Sequence, residues 1–222
     1  SNRNRIAVSR LEALQFPDGS WSWYKGMTGN RYITTRIVKM LARLRTMGAS
    51  TLLVQGMYEK AVSYLHTQWL DEYRQMKENE KKGNKNGLPG EQSLHYLYIC
   101  ALDEQVAKRT DKTAYSYMID RLEAGAPSDA IYDRALIATI LHKAGKKVSG
   151  ICGGYQMMGV RLEDPESIEG NIPAIPGLGL LPQCTVIEQE KITRQSDFAF
   201  LPSSENKDCK GYEIHMLSLI HI

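Results

Sequence analysis

Between residues 32 and 147, apolar positions recur at three- and four-residue spacings, the period of helices that bury one face. Ile33, Ile37, Met40, Leu41, Leu44 and Met47 form the first such stripe, and Gly48 follows as a stop signal. A second helix is predicted over about residues 57–79, with Ala61, Tyr64, Leu65, Trp69 and Tyr73 on one side. Residues 78–90 (ENEKKGNKNGLPG) then read as a solvated loop, charged and rich in glycine, with no large side chain before Leu88. Helical spacing resumes with Leu94, Leu97, Tyr98, Ala101 and Leu102, and again over residues 114–122. A last helix starts at Ser128-Asp129, a natural N-cap, and carries Ile131, Ala135, Ile137, Ala138 and Leu141 to Gly145. Five or so helices without a strand signal predict an all-α array, and no heptad run is long enough for a coiled coil.

The texture changes after Lys147. The first 147 residues carry 23 basic and 15 acidic side chains, the remainder 5 and 10, so a net +8 gives way to −5. All three tryptophans and ten of the twelve tyrosines precede the break, and five of the eight prolines follow it. Such a shift marks a domain boundary or a join between unrelated sequences. With 222 residues, 42% hydrophobic and 24% charged, the chain is globular and makes one large domain or two small ones. Its apolar runs are too short for a membrane-spanning helix, and residues 1–5 (SNRNR) lack the apolar stretch of a signal peptide. No membrane partner is expected, and an overall charge of +3 gives no argument for nucleic acid. Cys100, Cys152, Cys184 and Cys209 are widely spaced, which suggests neither a zinc site nor a disulfide framework. His66, His95 and His142 have no partner at metal-ligand spacing, and no metal is expected.

Residues 16–24 (FPDGSWSWY), with Gly26 and the Y-I-T-T run at 32–35, resemble the thioester-type α/α-toroid domain of bacterial alpha-2-macroglobulin-like proteins. In that family a D-G-S/G-W-S-W-F segment precedes a helix that begins Y-I-T-T and ends L-x-x-x-G, matched here by Leu44 and Gly48. Residues 132–138, with Leu141 and Ala144-Gly145, resemble a later helix of the same family. The resemblance covers residues 6–147 and implies part of an α/α toroid from a protease trap, with proteases as candidate partners. The family's C-x-E-Q thioester signature is absent; Gly90-Glu91-Gln92 reads as a loop leading into a polar helix start. Cys100 shares an apolar stripe with Leu97 and Ala101 and is expected to be a buried structural thiol. Trp21 and Trp23 are candidates for a ligand groove, although aromatic side chains in helical arrays more often fill the core.

Residues 148–159 (VSGICGGYQMMG) read as a strand end, a glycine-flanked cysteine and a short helix. G-x-C-x-G is the cysteine form of a nucleophile elbow. A nucleophile on a tight strand-to-helix turn has strained backbone angles, and glycine neighbours relieve the crowding. The helix N-terminus favours thiolate, and the N–H of Gly153 would face the oxyanion of a tetrahedral intermediate. Buried cysteines in small-residue turns are common, so this motif alone is a weak signal.

Downstream blocks extend it. Asp164-Pro165 with Ile168-Glu169-Gly170 follows, then Gly177-Leu178-Gly179-Leu180-Leu181-Pro182, Thr185 and Lys191, and Gly211-Tyr212-Glu213-Ile214-His215-Met216. With residues 150–159 these five ordered blocks resemble the glutamine amidotransferase domain of cobyric acid synthase and its cobyrinate diamide synthase relatives, over residues 148–216. The resemblance implies a partial α/β, class I-type glutaminase. Cys152 would attack the glutamine side-chain amide, Gly153, Gly154 and Gln156 would shape the oxyanion and substrate pocket, and a histidine would transfer protons. The family's catalytic histidine belongs to a G-T-Y-x-H-G block that this sequence lacks, which leaves His215 as the secondary candidate, with Glu213 to orient it. Gln156 reads equally as a packing residue and Glu213 as an exposed strand carboxylate. Cys184 falls in an expected strand and Cys209 in a charged loop. Glutamine is the expected substrate and no cofactor is expected on this chain. ATP and magnesium would belong to an absent synthetase domain, through which alone a corrinoid substrate would be met.

Residues 217–222 depart from the family and look like a translated adapter sequence, an artefactual tail. The whole reads as a chimera of two partial genes, joined within residues 142–148 and expected to be inactive. Its parts are a helical fragment (1–147), an amidotransferase fragment (148–216) and the tail. The implied addresses differ: cytoplasmic for the amidotransferase part, periplasmic or exported for the parent of the helical part.

Overall fold

The computed structural model describes residues 2–48, 52–84, 87–125, 130–150, 152–198 and 209–221. It falls into two compact units, Ser1–Val148 and Ser149–Ile222. The first is helical and the second holds a mixed sheet.

The helical unit contains α1 (Asn2–Ala13), α2 (Arg31–Thr46), a single 3-10 turn (Leu52–Val54), α3 (Gln55–Lys81), α4 (Glu91–Leu102), α5 (Glu104–Arg109), α6 (Lys112–Ala124) and α7 (Ile131–Lys143). The stripes predicted for α3 and α4 enter the core, with Ala61, Leu65, Trp69, Leu94 and Leu97 buried. On α2 only Leu41 of the predicted stripe is buried: Met40, Leu44 and Met47 are exposed, and Val38 and Ala42 face the core instead. On α7 the buried apolar pair is Leu136 and Ile140, each one residue before the predicted Ile137 and Leu141, which are half-buried. Asn30 caps α2 by accepting the Ile33 N–H at 3.1 Å. The segment before it folds for identifiable reasons. Asp18 accepts from the N–H and hydroxyl of Ser20, at 2.9 and 2.6 Å. Gly19 has φ +92° and lies so close to Lys60 that a Cβ would stand 2.3 Å from its carbonyl oxygen. Trp21 is buried and donates its indole N–H to the Leu11 carbonyl at 2.8 Å. Trp23 is 53% exposed and stacks on Tyr32. The two tryptophans of one motif thus have different fates, one in the core and one on the surface.

Helices α1 and α5 were not predicted. The first is polar, with Ile6, Val8 and Leu11 as its sparse apolar positions, and the second is only six residues long, held by the Asp103 cap on the Gln105 N–H. Residues 78–81, expected as loop, continue α3. Glu80 anchors them, binding Lys77 at 2.7 Å, the Tyr117 hydroxyl at 2.7 Å and Arg121 at 2.8 Å. The expected cap Ser128-Asp129 lies outside the described residues.

The second unit contains α8 (Gly153–Met157), β1 (Arg161–Glu163), β2 (Ala174–Pro176), β3 (Gln183–Phe198) and β4 (Cys209–His221). The sheet order is β2-β1-β3-β4, with β1 parallel to β3 and the other two pairs antiparallel. Ile187 pairs with Leu217 and Ile192 with His215, so a bulge sets four residues of β3 against Met216. The strand expected at residue 148 does not form: 146–150 are irregular, because no strand lies beside them among the described residues to bind their N–H and C=O groups. Cys209, expected in a loop, begins β4 opposite Phe198. Residues 217–221, expected as a foreign tail, continue β4 and pair with Gln183–Ile187.

Candidate active site

Cys152 enters α8 with φ 54° and ψ −125°, in the half of backbone space that residues with a Cβ rarely occupy. Its carbonyl accepts the N–H groups of Tyr155 at 2.9 Å and Gln156 at 3.2 Å, which locks the turn, and its thiol is exposed. Gly150 makes the turn possible. A Cβ there would lie 2.5 Å from the Met158 sulfur and 2.8 Å from the Gly154 carbonyl oxygen, so the chain before the elbow and the helix after it cross in near contact. Gly153 and Gly154 have open space where a Cβ would project, so crowding explains the first glycine of the motif and not these two. As the first residues of α8 they have N–H groups beyond the reach of an intrahelical acceptor, which suits them to an oxyanion.

The Gly-Leu-Gly-Leu-Leu-Pro block wraps the other end of the elbow helix. The N–H of Leu178 binds the Met157 carbonyl at 2.8 Å, that of Gly179 the Gly159 carbonyl at 2.9 Å, and those of Leu180 and Leu181 the Met158 carbonyl at 2.8 and 2.9 Å. These bonds satisfy the carbonyls that any short helix leaves open. Gly177 is the point of closest approach: a Cβ would stand 2.1 Å from the Gly159 carbonyl oxygen. Gly179 turns the chain with φ +65°.

Two further contacts seat the elbow. The Tyr155 hydroxyl donates to Oε1 of Gln183 at 3.0 Å, and Gln183, 2% exposed at the head of β3, accepts the Val160 N–H on its main-chain carbonyl at 2.7 Å. Asp164 takes three backbone N–H groups on its carboxylate: Ile168 at 2.8 Å, Glu169 at 2.9 Å and Gly170 at 3.2 Å. The Ile168 N–H, then those of Glu169 and Gly170, hold this carboxyl below its ordinary range. The sequence motifs contained Tyr155, Asp164 and the Gly177–Pro182 run without assigning them roles, because the partner of the first lies 28 residues away, those of the second are backbone groups, and the run caps backbone with backbone.

Gln156 is half-buried on α8. His215 stands opposite Ile192, six residues along β4 from His221, the residue that pairs with Gln183. At about 3.4 Å per residue it lies roughly 20 Å along the sheet from the Gln183 end where the elbow docks. Glu213 is paired with Arg194 through the backbone, and its side chain lies outside the described residues. Burial, then the Glu163 carboxylate, pushes the Cys184 thiol up, and burial pushes Cys100 to about 12, so both are poor nucleophiles beside the exposed Cys152. No group of three metal-ligating side chains occurs among the described residues.

The sequence profile of the CobB/CobQ-like glutamine amidotransferase domain matches residues 130–221, a segment that includes the elbow, its capping loop and all four strands. The match begins upstream of the break, and takes in α7 of the helical unit. Among curated proteins, the chain is 99% identical over 75 residues to a cobyric acid synthase of Parabacteroides distasonis, an overlap of 34% of this chain and 15% of that protein. It is 56% identical over 75 residues to the cobyric acid synthase of Phocaeicola vulgatus, again 34% and 15%. A cobyric acid synthase of Synechocystis is 55% identical over 73 residues, 33% of this chain and 15% of the relative. The chain thus spans about 15% of the length of these relatives. No solved structure matches it.

Proposed function

We propose that the C-terminal unit is the elbow-bearing part of a cobyric acid synthase-type glutaminase, with Cys152 as nucleophile and glutamine as substrate. The observation that carries this reading is the exposed Cys152 thiol on a backbone of φ 54°, held at a helix entry within the matched segment. In the reaction, Sγ of Cys152 bonds to the glutamine amide carbon. The C–N bond breaks, the nitrogen takes a proton and leaves as ammonia, and water hydrolyses the resulting thioester to glutamate. In this reading the N–H of Gly153 would receive the oxyanion, and Gly154 and Gln156 would shape the substrate pocket. In the whole relatives, ammonia would serve ATP- and magnesium-dependent amidation of a corrinoid in the cytoplasm. His215 sits away from the elbow end of the sheet, which supports a chain that captures glutamine analogues but does not turn over. A diazoketone analogue of glutamine tests this. Mass spectrometry should find an adduct on Cys152 that excess glutamine suppresses, with ammonia release at background. An absent adduct, or one that glutamine leaves unchanged, would overturn the assignment.

A second reading concerns the helical unit, as a fragment of an exported macroglobulin-like protease trap fused to the amidotransferase part. The boundary between compact units, at Val148/Ser149, falls at the shift in charge and composition, which favours two origins. Stable association with a protease, independent of Cys152, is the expected result; purified chain indifferent to proteases would remove this reading.

A further inference from the structure

We propose that the α2–α4–α7 face of the helical unit is a binding site for an oxyanion, a carboxylate or a phosphate, with Lys39 as its buried ligand and Arg36 and Arg43 at its rim. Lys39 is only 5% exposed. Its ammonium group donates to the Tyr132 hydroxyl at 2.9 Å and lies 3.4 Å from Nδ1 of His95, which leaves one of its three N–H groups uncommitted. Among the described residues no carboxylate lies within ion-pair distance of Lys39, Arg36 or Arg43. The contrast within the same unit is sharp. Arg31 is paired with Glu72, Arg45 with Asp103, Lys77 and Arg121 with Glu80, and Lys146 with Glu123. A cation removed from water without a counter-charge is costly to hold. An incoming anion would supply that counter-charge.

The geometry suits such a ligand. Arg36, Lys39 and Arg43 follow one another at three- and four-residue steps on α2, a row of about 10 Å. Each is steadied by a tyrosine ring, at 5.5 Å for Arg36 over Tyr32, 5.6 Å for Lys39 over Tyr132 and 5.5 Å for Arg43 over Tyr98. Because the Tyr132 oxygen accepts from Lys39, its own proton is free to donate, and that side chain is 48% exposed. His95 fits the same picture: burial, then the positive charges of Lys39 and Arg36, pushes its imidazole down to about 4, so it stays neutral and adds no charge. The acidic groups nearby are Glu91, 3.7 Å from Nε2 of His95, and Asp133 on α7.

Calorimetric titration of the full chain at pH 7.5 and constant ionic strength, with pyrophosphate and separately with tri-glutamate, tests the site. Saturable binding is expected for at least one probe, weakened about tenfold or more in Lys39→Met. Saturation by pyrophosphate alone assigns a phosphate ligand, and by tri-glutamate alone a carboxylate. The double variant Arg36→Ala/Arg43→Ala changes only exposed positions and decides the matter should Lys39→Met fail to fold. Failure of both probes to saturate by about 10 mM, or affinity unchanged in these variants, overturns the proposal.

Discussion

Replacing Cys152 by glycine should stabilise the C-terminal unit relative to replacing it by alanine, the reverse of what the same pair of changes does at an ordinary position. Both substitutions delete the thiol, so the comparison isolates the backbone. At φ 54° and ψ −125° a residue with a Cβ carries strain on the order of 1–3 kcal/mol, which alanine retains and glycine releases. Glycine loses about 0.5–1 kcal/mol more backbone entropy on folding than alanine. Taken at the middle of each range, the difference leaves glycine ahead by about 1 kcal/mol. Urea unfolding followed by far-ultraviolet circular dichroism gives the overall shift. Hydrogen exchange at the Tyr155 and Gln156 amides, which bind the Cys152 carbonyl, localises it. All three tryptophans lie in the helical unit, so their fluorescence serves as an internal control and should not move. Alanine and glycine variants of equal stability, or alanine the more stable, would refute a strained elbow and with it the structural ground for a nucleophile at this turn.

Three other outcomes follow from the same unit and its thiols. Gly177→Ala forces a Cβ against the Gly159 carbonyl, so it should cost about 2 kcal/mol or more and cut exchange protection at Leu178, Leu180 and Leu181 about thirtyfold. Asp164 is held below its unfolded value, so its stabilisation is fully present above about pH 4 and is lost as pH falls through the lower folded value. Wild-type protection at Ile168 and Glu169 should therefore fall in acid, whereas Asp164→Ala should be poorly protected throughout and nearly independent of pH. At pH 8, iodoacetamide should modify Cys152 much faster than Cys100 or Cys184 in the folded chain, and urea should abolish the difference, as read by peptide mass mapping.

What could be read from the sequence follows from where each element gets its stability. Helices α2, α3, α4, α6 and α7 were legible as helices because their apolar residues repeat within a single segment, and Trp69 and Leu97 went where that period puts them. The buried face was misread on α2 and α7, where apolar residues occur on more than one side and the packing partners choose Val38 and Ile140 over Met40 and Leu141. Helix α1 depends instead on a distant partner, the Trp21 indole bound to Leu11, and residues 78–81 on side chains of α6, so local pattern could not reveal either. In the second unit, the cysteine, its glycines and the five blocks were visible as residue types. Gly150 behaves as the elbow motif requires. The role of Gly177 depends on a backbone contact across 18 residues and that of Tyr155 on a side-chain contact across 28, which a linear reading cannot supply. The strand expected at 148 failed for the same reason in reverse, since a strand is specified jointly with its neighbour.

Helix α7 is where the two halves of the chain make competing claims. The amidotransferase profile begins at residue 130 and so includes it, yet Leu136 and Ile140 are buried in the helical core with α4 and α6 residues such as Leu97 and Met118. A helix has one apolar face to bury, and burying a side chain the size of leucine or isoleucine is worth about 1.5–3 kcal/mol. While that face is committed to the helical unit it cannot also cover a sheet. The irregular course of residues 146–150 between α7 and the elbow is consistent with that commitment. Loosening the α7 contact, by Leu136→Ala at a cost of about 2–5 kcal/mol, should therefore destabilise the tryptophan-reported unit. The elbow amides should keep their protection if the C-terminal unit stands without α7, and lose it in parallel if α7 belongs to both.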